Sequence, residues 1–541
     1  MNPLLMTDAY KVGHHLMYPD GTTLVYSNFT PRSLKYAPKG CTEVVSFGQQ
    51  MTIKQIHEAF DKEFFSKPKD EVCGEMKKEL SLYLGTDYDV SHFEKLHDLG
   101  YLPIAIKGIS EGTLVPVKIP VLTIYNTHPE FSWITNYLET IISNMLWKPM
   151  TSATIAYQYR KVLTKWMEKT DKERAWFIDW QGHDFSMRGM DSVDATISSG
   201  LGHVTSFLGS DSLPVIHGAR KYYGADGFVA GSVMATEHSV MSAGGKEDEV
   251  GTFRRLLNKF PTGILSVVSD TWNLWDVCTK HVVTLKEEIL ARDGKLVIRP
   301  DSSDPVDIIC GDAWRVQGFT EGVLNKVGEN GIVLNYTDNK YYKVKLNNNH
   351  EVYGEETIDV TPANKGVIEL LWDVFGGTIN EQGYKVLDSH IGAIYGDSIT
   401  IERAEQICAR LEAKGFASTN IVLGVGSFTY QYNTRDTFGF AMKATYIEIT
   451  EQVGTSFGEI GTMNVPNVIC REIFKDPITD DGTKKSATGL LSVKKDENGS
   501  LVLKDKATWE DVQNSELKDI YLNGEFINQV TLDEIRSKLK Q

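Results

Sequence analysis

A chain of 541 residues is too long for one simple core and sets a prior of two or three domains. Its 41% hydrophobic and 24% charged residues are those of an ordinary soluble globular protein and exclude disorder over most of the length. A formal charge of −16 disfavours a broad nucleic-acid footprint, which needs a basic face, but leaves room for a small basic pocket around a phosphorylated substrate. The first ~130 residues read as mixed and strand-rich, with period-two alternation at 23–30 and 102–109 and two short strands in 112–127 divided at Pro120. From Phe131 to Thr170 apolar residues recur at three- and four-residue steps, which predicts helix. Short apolar runs then end in polar or glycine clusters at Asp184, Asp211, His238, Asp270, Asp301, Asp397 and Gly424, with gaps of 27, 27, 32, 31, 96 and 27 residues. A βα unit takes roughly 30 residues, so the cadence predicts a parallel α/β fold, an irregular (β/α) barrel, beside a second strand-rich α+β domain.

The gap of 96 reads as two units plus an insertion, or as three units. Within it, 341–360 alternates around an Asn-rich turn and predicts an inserted β-hairpin inside an excursion of about 312–362. The predicted division is 1–150 for the first part of the strand-rich domain, 151–450 for the barrel, and 451–541 for a return to the strand-rich domain. In that tail 490–505 predicts a hairpin, and 531–541 a helix with Thr531 and Glu534 as a capping box. The six cysteines have no CxxC or other zinc-ligand spacing and suggest reduced thiols in a cytoplasmic protein. The N-terminal MNPLLMTDAYKVGHH does not read as a secretory signal, and no run approaches the ~18 apolar residues that a bilayer span requires.

Chemistry concentrates where the predicted strands end. In LVIRPDSSDP (296–305) an apolar run gives way to Arg299, Pro300 and Asp301. Alternation in extended chain points Arg299 and Asp301 the same way, and Pro300 holds the backbone extended. A surface turn with a fortuitous ion pair explains one such stretch equally well, but further strand ends share the character. They are VVSD at Asp270, IYGD at Asp397, GHDFSMRG with His183, Asp184 and Arg188, and ATEHS with Glu237, His238 and Ser239. Carboxylates suit sugar hydroxyls and Mg²⁺, and arginine suits phosphate. In LGVGSF (423–428), Gly424 and Gly426 let backbone N–H groups approach a phosphate. The inventory predicts a site for a phosphorylated sugar with a metal, without a Walker A sequence or a dinucleotide-binding GxGxxG.

Taken together, MTDAYKVGHHLMYPDGT, HDFSMRG, GSDS, ATEHS, SVVSDTWN, IRPDSSDP, IYGDSI, TRDTFGFAMK and FKDP stand in an order that resembles the nicotinamide phosphoribosyltransferase family, from residue ~6 to ~490. The resemblance implies joining of nicotinamide to phosphoribosyl pyrophosphate, with release of nicotinamide mononucleotide and pyrophosphate in NAD salvage. It implies Mg²⁺ as cofactor, ATP as activating co-substrate, and a homodimer with active sites at the subunit interface. Phe185 and Tyr10, the latter from the other subunit, would sandwich the pyridine ring. Asp211 would accept from the carboxamide NH₂ and repel nicotinate, although GSDS is also good helix-capping chemistry. Ser232 and Ser266 are further implied substrate contacts. Arg188 and Arg299 would hold phosphate groups, while Asp270 and Asp301 would organise Mg²⁺, water and ribose. Gly396 and Asp397 would lie against the ribose hydroxyls. Gly426 and Ser427 would meet the 5′-phosphate, with Arg435 and Lys443 reaching in from the partner. His238 resembles the family histidine that ATP phosphorylates, and Lys475, with Lys484 or Lys485, would sit near the ATP or pyrophosphate channel.

Three departures stand out. Gly392 occupies the place of an arginine in metazoan members, the phosphate turn is GVGSF rather than a triple-glycine run, and the 312–362 insertion is longer than expected. The competing readings are a nicotinate phosphoribosyltransferase and a catalytically idle barrel acting as a binding protein.

Overall fold

The computed structural model describes residues 1–316, 331–335, 340–349, 352–396, 398–456, 462–475 and 487–540. Seven short strands form one parallel sheet: β1 (Gly182–Asp184), β2 (Gly209–Ser210), β3 (Met234–Ala235), β4 (Thr262–Val268), β5 (Asp293–Arg299), β6 (Ile391–Tyr395) and β7 (Ile421–Val425). Their order is β2-β1-β7-β6-β5-β4-β3, and every pairing is parallel. The two edges meet just before β3. Ser210 N donates to Gly231 O at 3.1 Å and Gly231 N to Leu208 O at 2.8 Å, so the sheet curls into a ring.

Alternation divides each strand between two environments. Leu265 and Val267 of β4, Leu296 and Ile298 of β5, and Ile421, Leu423 and Val425 of β7 are buried in the largest core cluster. The intervening Ile264, Ser266, Lys295, Val297, Arg299 and Val422 line the ring's interior.

The 96-residue gap is neither two units nor three. Strand β5 pairs directly with β6, so the stretch is one crossover. It carries the predicted hairpin, Lys340–Leu346 against Val352–Thr357, within a four-stranded sheet that also includes Ala313–Val316 and Ile332–Asn335. A second small hairpin, Gly377–Ile379 with Lys385–Leu387, follows.

A separate seven-stranded sheet contains Thr22–Thr30, Ile104–Ile109 and Leu122–Asn126 from the N-terminal part. Its other strands, among them Ala441–Ser456, Thr462–Glu472 and Leu517–Leu522, come from the C-terminal part. The early region read as strand-rich also holds helices Gln49–Phe60, Lys69–Leu84 and Ser91–Leu99. Their buried faces, such as Val72, Cys73, Met76 and Leu80, have helical spacing. One helix, Ser132–Thr170, runs without a break through residue 150 and packs on both bodies. The tail hairpin is Leu490–Lys495 with Leu501–Ala507, and the last helix, Leu532–Leu539, starts at the Thr531–Glu534 capping box.

A buried carboxyl joins these parts. Glu111 accepts from Gln50 N at 2.7 Å at the start of helix Gln49–Phe60, and the Gln50 amide donates to Tyr222 O and Val530 O. Burial pushes the Glu111 carboxyl up to about 7, although backbone hydrogen bonds at the helix start oppose the shift. A folded value above the unfolded one means that the stabilising contribution is full below about pH 4 and is lost as pH rises through 7. Glu111→Gln is therefore expected to gain thermal stability relative to the parent between pH 5 and pH 8. A melting-temperature difference that stays flat with pH would contradict this.

Candidate functional site

The C-terminal ends of the barrel strands converge, and backbone contacts show how closely. A Cβ on Gly424 would lie 2.6 Å from Tyr395 O and 2.8 Å from the Gly396 carbonyl carbon. One on Gly396 would lie 2.7 Å from Asp301 Oδ1 and 3.5 Å from Arg299 Cδ, so Arg299 and Asp301 face the same neighbour, as alternation predicts. One on Gly189 would run into Ser427 Oγ, which places the Arg188 loop against the turn after β7. Gly426 precedes that turn's short helix, and Phe185 N donates to Val425 O at 3.0 Å.

Two carboxylates and a histidine share one edge of this mouth. Asp301 N donates to Asp270 Oδ2 at 2.8 Å. His238 Nε2 stands 3.9 Å from both Asp270 Oδ1 and Asp301 Oδ2, and its Nδ1 is 3.1 Å from Thr271 Oγ1. The His238 side chain is 47% exposed and so accessible to a reagent in solution. Three buried polar atoms here lack a protein hydrogen bond: Ser266 Oγ, Asp270 Oδ1 and Arg299 Nε. Buried polar atoms are normally paired, so these three are set for a ligand. The Arg299 guanidinium is aimed by a 2.9 Å bond from Nη2 to Thr236 O.

Asp211 is no helix cap. The helix it precedes, Pro214–Tyr223, has Leu213 at its N-cap and no side-chain cap bond. The Asp211 carboxylate instead accepts from His183 Nε2 at 2.8 Å and from the Ser232 hydroxyl. Burial works to raise this carboxyl, but the hydrogen bonds from His183 and Ser232, with the charge of Arg299, outweigh it and hold the carboxyl below its ordinary range. The His183 ring lies 4.5 Å from the Phe185 ring at 32°.

Phe185, Asp211, Ser232, Ser266 and Arg299 line a cavity of about 370 Å³ inside the barrel. Its wall continues down the strands to Lys295 and Arg174, where burial, with repulsion from Arg174, pushes the Lys295 amine down to about 8. Lys295 also answers the Gly392 departure. Its Cδ lies 3.2 Å from where a Cβ on Gly392 would stand, so a cation from the adjacent strand fills that side of the wall.

Arg188, His238, Asp270, Asp301, Gly396, Gly426 and Ser427 stand at the mouth and do not line the cavity, and neither do Tyr10, Arg435, Lys443 and Lys475. Tyr10 is 65% exposed on an N-terminal segment tied to helix Ser132–Thr170 by Lys11–Glu139 at 2.8 Å, His14–Asn136 at 2.7 Å and Asp8–Thr140 at 2.7 Å. Lys443 lies in a cluster of cations. Desolvation lowers its amine, and Lys475, Arg32 and Arg435 lower it further. Arg32 belongs to this cluster and was missed in the sequence, where it sits in a run (TPRSLKYAPKG) without a strand-end signature. His183 stood in the sequence only among the strand-end polar residues, without an assigned role. Asp397, Lys484 and Lys485 lie outside the described residues.

Among the described residues no group of three or more His, Cys, Asp or Glu side chains could hold a metal ion. The Asp270–Asp301 edge, with Asp270 Oδ1 buried and unpaired, fits Mg²⁺, which keeps most of its waters and takes one or two carboxylates.

The nicotinate phosphoribosyltransferase (NAPRTase) family model matches residues 180–524. The chain belongs to that family. The match covers all seven barrel strands. A nicotinamide phosphoribosyltransferase of Acinetobacter baylyi is 43% identical over 100% of this chain and 97% of its own length. Those of Mycoplasma pneumoniae and Xanthomonas campestris are 33% and 28% identical, over 90% and 99% of this chain and 94% and 97% of their own.

For this NAPRTase-family site the close approach at Gly396 makes a test. Gly396→Ala places a methyl group within 2.7 Å of Asp301 Oδ1 and is expected to cost roughly tenfold or more in kcat/KM through misplacement of that carboxylate. Full activity in a folded Ala variant would show that Asp301 need not stand where it does.

Proposed function

We propose that this chain is a pentosyltransferase that forms nicotinamide mononucleotide and pyrophosphate from nicotinamide and phosphoribosyl pyrophosphate, a step of NAD salvage. The observation that carries the reading is the ionised Asp211 carboxylate beside Phe185 in the barrel cavity, with the Ser266 hydroxyl buried and unpaired on the same wall. A carboxylate accepts from an amide NH₂, and a serine hydroxyl can donate to the amide oxygen. A nicotinate carboxylate would meet like charge at Asp211, so the acid-using alternative is disfavoured. Relatives named for the amide reaction align over nearly the whole chain and favour the same choice. The unpaired ligand-ready atoms of Ser266, Asp270 and Arg299 argue against an idle barrel.

The reaction exchanges pyrophosphate for the pyridine nitrogen at the anomeric carbon, through a transition state resembling an oxocarbenium ion. Positive charge grows on the ribose and negative charge on the leaving pyrophosphate. Arg188 and Arg299 stabilise phosphate charge, the largest electrostatic demand. Asp270 and Asp301 would hold Mg²⁺, which would supply charge neutralisation at the leaving pyrophosphate. Phe185 offers a ring face and Asp211 fixes the ring's rotation, so the nitrogen is aimed at the carbon. Gly396 and Asp397 meet the ribose, and Gly426 and Ser427 the 5′-phosphate. No protein nucleophile is required.

Three finer points belong to the same proposal. The protein acts as a homodimer in which Tyr10, Arg435 and Lys443 complete the partner's site. The exposure of Tyr10 and the clustering of Arg435 and Lys443 with Lys475 and Arg32 support this. ATP phosphorylates His238, whose accessibility and position between two carboxylates support a switch on the pyrophosphate side. Lys475, with Lys484 or Lys485, is assigned on this reading to binding the ATP or pyrophosphate. The chain works in the cytoplasm. No helix among the described residues is long and apolar enough to cross a membrane, and all six cysteines are free.

The deciding measurement is product analysis with phosphoribosyl pyrophosphate, Mg²⁺ and equal nicotinamide and nicotinate, with and without ATP. The amide mononucleotide is expected, and the acid product alone would move the protein to nicotinate. Asp211→Asn is expected to narrow the amide preference roughly 10- to 100-fold, the worth of a charge-assisted hydrogen bond. His238→Ala is expected to run at the same rate with and without ATP, and retained stimulation would remove His238 from that role. Mixing Asp301→Asn with Lys443→Met, each inactive alone, is expected to restore about a quarter of wild-type activity through heterodimers with one intact site. No recovery on subunit exchange would place Lys443 in its own chain's site.

A further inference from the structure

Both protein donors to Asp211 converge on one of its oxygens. His183 Nε2 stands 2.8 Å from Oδ1, and the Ser232 hydroxyl donates to that same atom. The imidazole is itself held on two sides. Phe185 packs over it with ring centroids 4.5 Å apart, and on its other edge a Cβ on Gly209 would lie 2.7 Å from Nδ1. His183 and Gly209 are register partners on β1 and β2, so the ring bridges neighbouring strands and reaches the residue that follows β2. Only a glycine at 209 leaves room for it.

We propose that His183 is a positioning residue that sets the choice of base, by holding Asp211 so that Oδ2 alone faces the pyridine's carboxamide. The inference rests on the proposed transferase reading and deepens it. An ionised carboxylate is acceptor-only. With Oδ1 occupied by His183 and Ser232, the second oxygen can take a hydrogen from an NH₂ group but can offer none to a carboxylate. If the imidazole is removed, two things change. Asp211 can turn within the cavity, and the Ser232 hydroxyl is released to donate elsewhere, including to an acid substrate. The ring contact with Phe185 ties the stacking face to the same imidazole, so acceptor and platform move as one unit.

The test measures kcat and KM for nicotinamide and nicotinate, and KM for phosphoribosyl pyrophosphate, in the full-length protein. His183→Ala is expected to raise KM for nicotinamide and to lower the amide-to-acid ratio by roughly 10- to 100-fold, with KM for phosphoribosyl pyrophosphate unchanged. His183→Gln, whose amide nitrogen can reach the same oxygen, is expected to recover most of the ratio. Gly209→Ala, which displaces the ring and leaves its chemistry intact, is expected to resemble His183→Ala and serves where that variant does not fold. In an Asp211→Asn background, His183→Ala is expected to add little, because the two residues act as one unit. Equal losses on both bases, an unchanged ratio, or full additivity with Asp211→Asn would overturn the inference while leaving the transferase reading intact. A wild-type protein that makes no mononucleotide from either base would overturn both.

Discussion

The mouth of the barrel depends on backbone touching backbone. Gly424 lies against Tyr395 and Gly396, and Gly396 lies against Asp301, at distances that leave no room for a side chain. Close packing of this kind makes three strand ends one rigid surface, because interiors at this density transmit displacement rather than absorb it. The consequence is positional. Asp301 is fixed from one side by Gly396 and from the other by its N–H bond to Asp270, and Asp270 in turn stands within 3.9 Å of His238. The polar residues of the site are held by the ring's closure as well as by one another. That is why Ser266, Asp270 and Arg299 can keep atoms unpaired in a buried place.

Charge is organised on a second scale. The chain carries a net −16, yet Arg32, Arg435, Lys443 and Lys475 lie near enough to depress the Lys443 amine. Like charges gathered on an acidic protein create a local field of opposite sign, which draws anions to one place and leaves the remaining surface repellent to nucleic acid. On the proposed reading the anions are the phosphate groups of the sugar substrate and of ATP. The barrel then supplies the acceptors, the stacking face, Arg188 and Arg299, and the cluster around Lys443 adds further cations. A transition state that places negative charge on the leaving pyrophosphate calls for such cations.

Much of this was legible in the sequence, for reasons that differ by element. The barrel strands announced themselves because each apolar run stops at a polar residue that has to face a ligand. The terminal helix did so because Thr531 and Glu534 form a local capping box that needs no tertiary context. The helices at 49–99 were passed over because strand-like alternation on both sides outweighed their helical spacing, as Val72, Met76 and Leu80 show. The 96-residue gap misled because a unit length near 30 was applied to a crossover that carries its own small sheet. Asp211 was ambiguous, since GSDS suits a cap as well as a ligand, and only the placement of His183 and Ser232 decides between them. Arg32 was out of reach because its neighbours in the cation cluster are hundreds of positions away.

The Gly392 departure shows what strand register adds. Loss of an arginine from the cavity wall reads, along the chain, as loss of a charge. Val297 pairs with Gly392 across β5 and β6, so Lys295, two residues earlier on the same face, lies alongside the vacated space. The lysine on one strand thus lies over the glycine of its neighbour and gives the wall a cation. The substitution is not neutral chemically. Burial and Arg174 bring the Lys295 amine down to about 8, within reach of physiological pH, whereas an arginine would stay charged throughout. The cavity's far wall therefore has a charge that solution conditions can alter, whereas the Asp211 carboxyl across the cavity is held below its ordinary range.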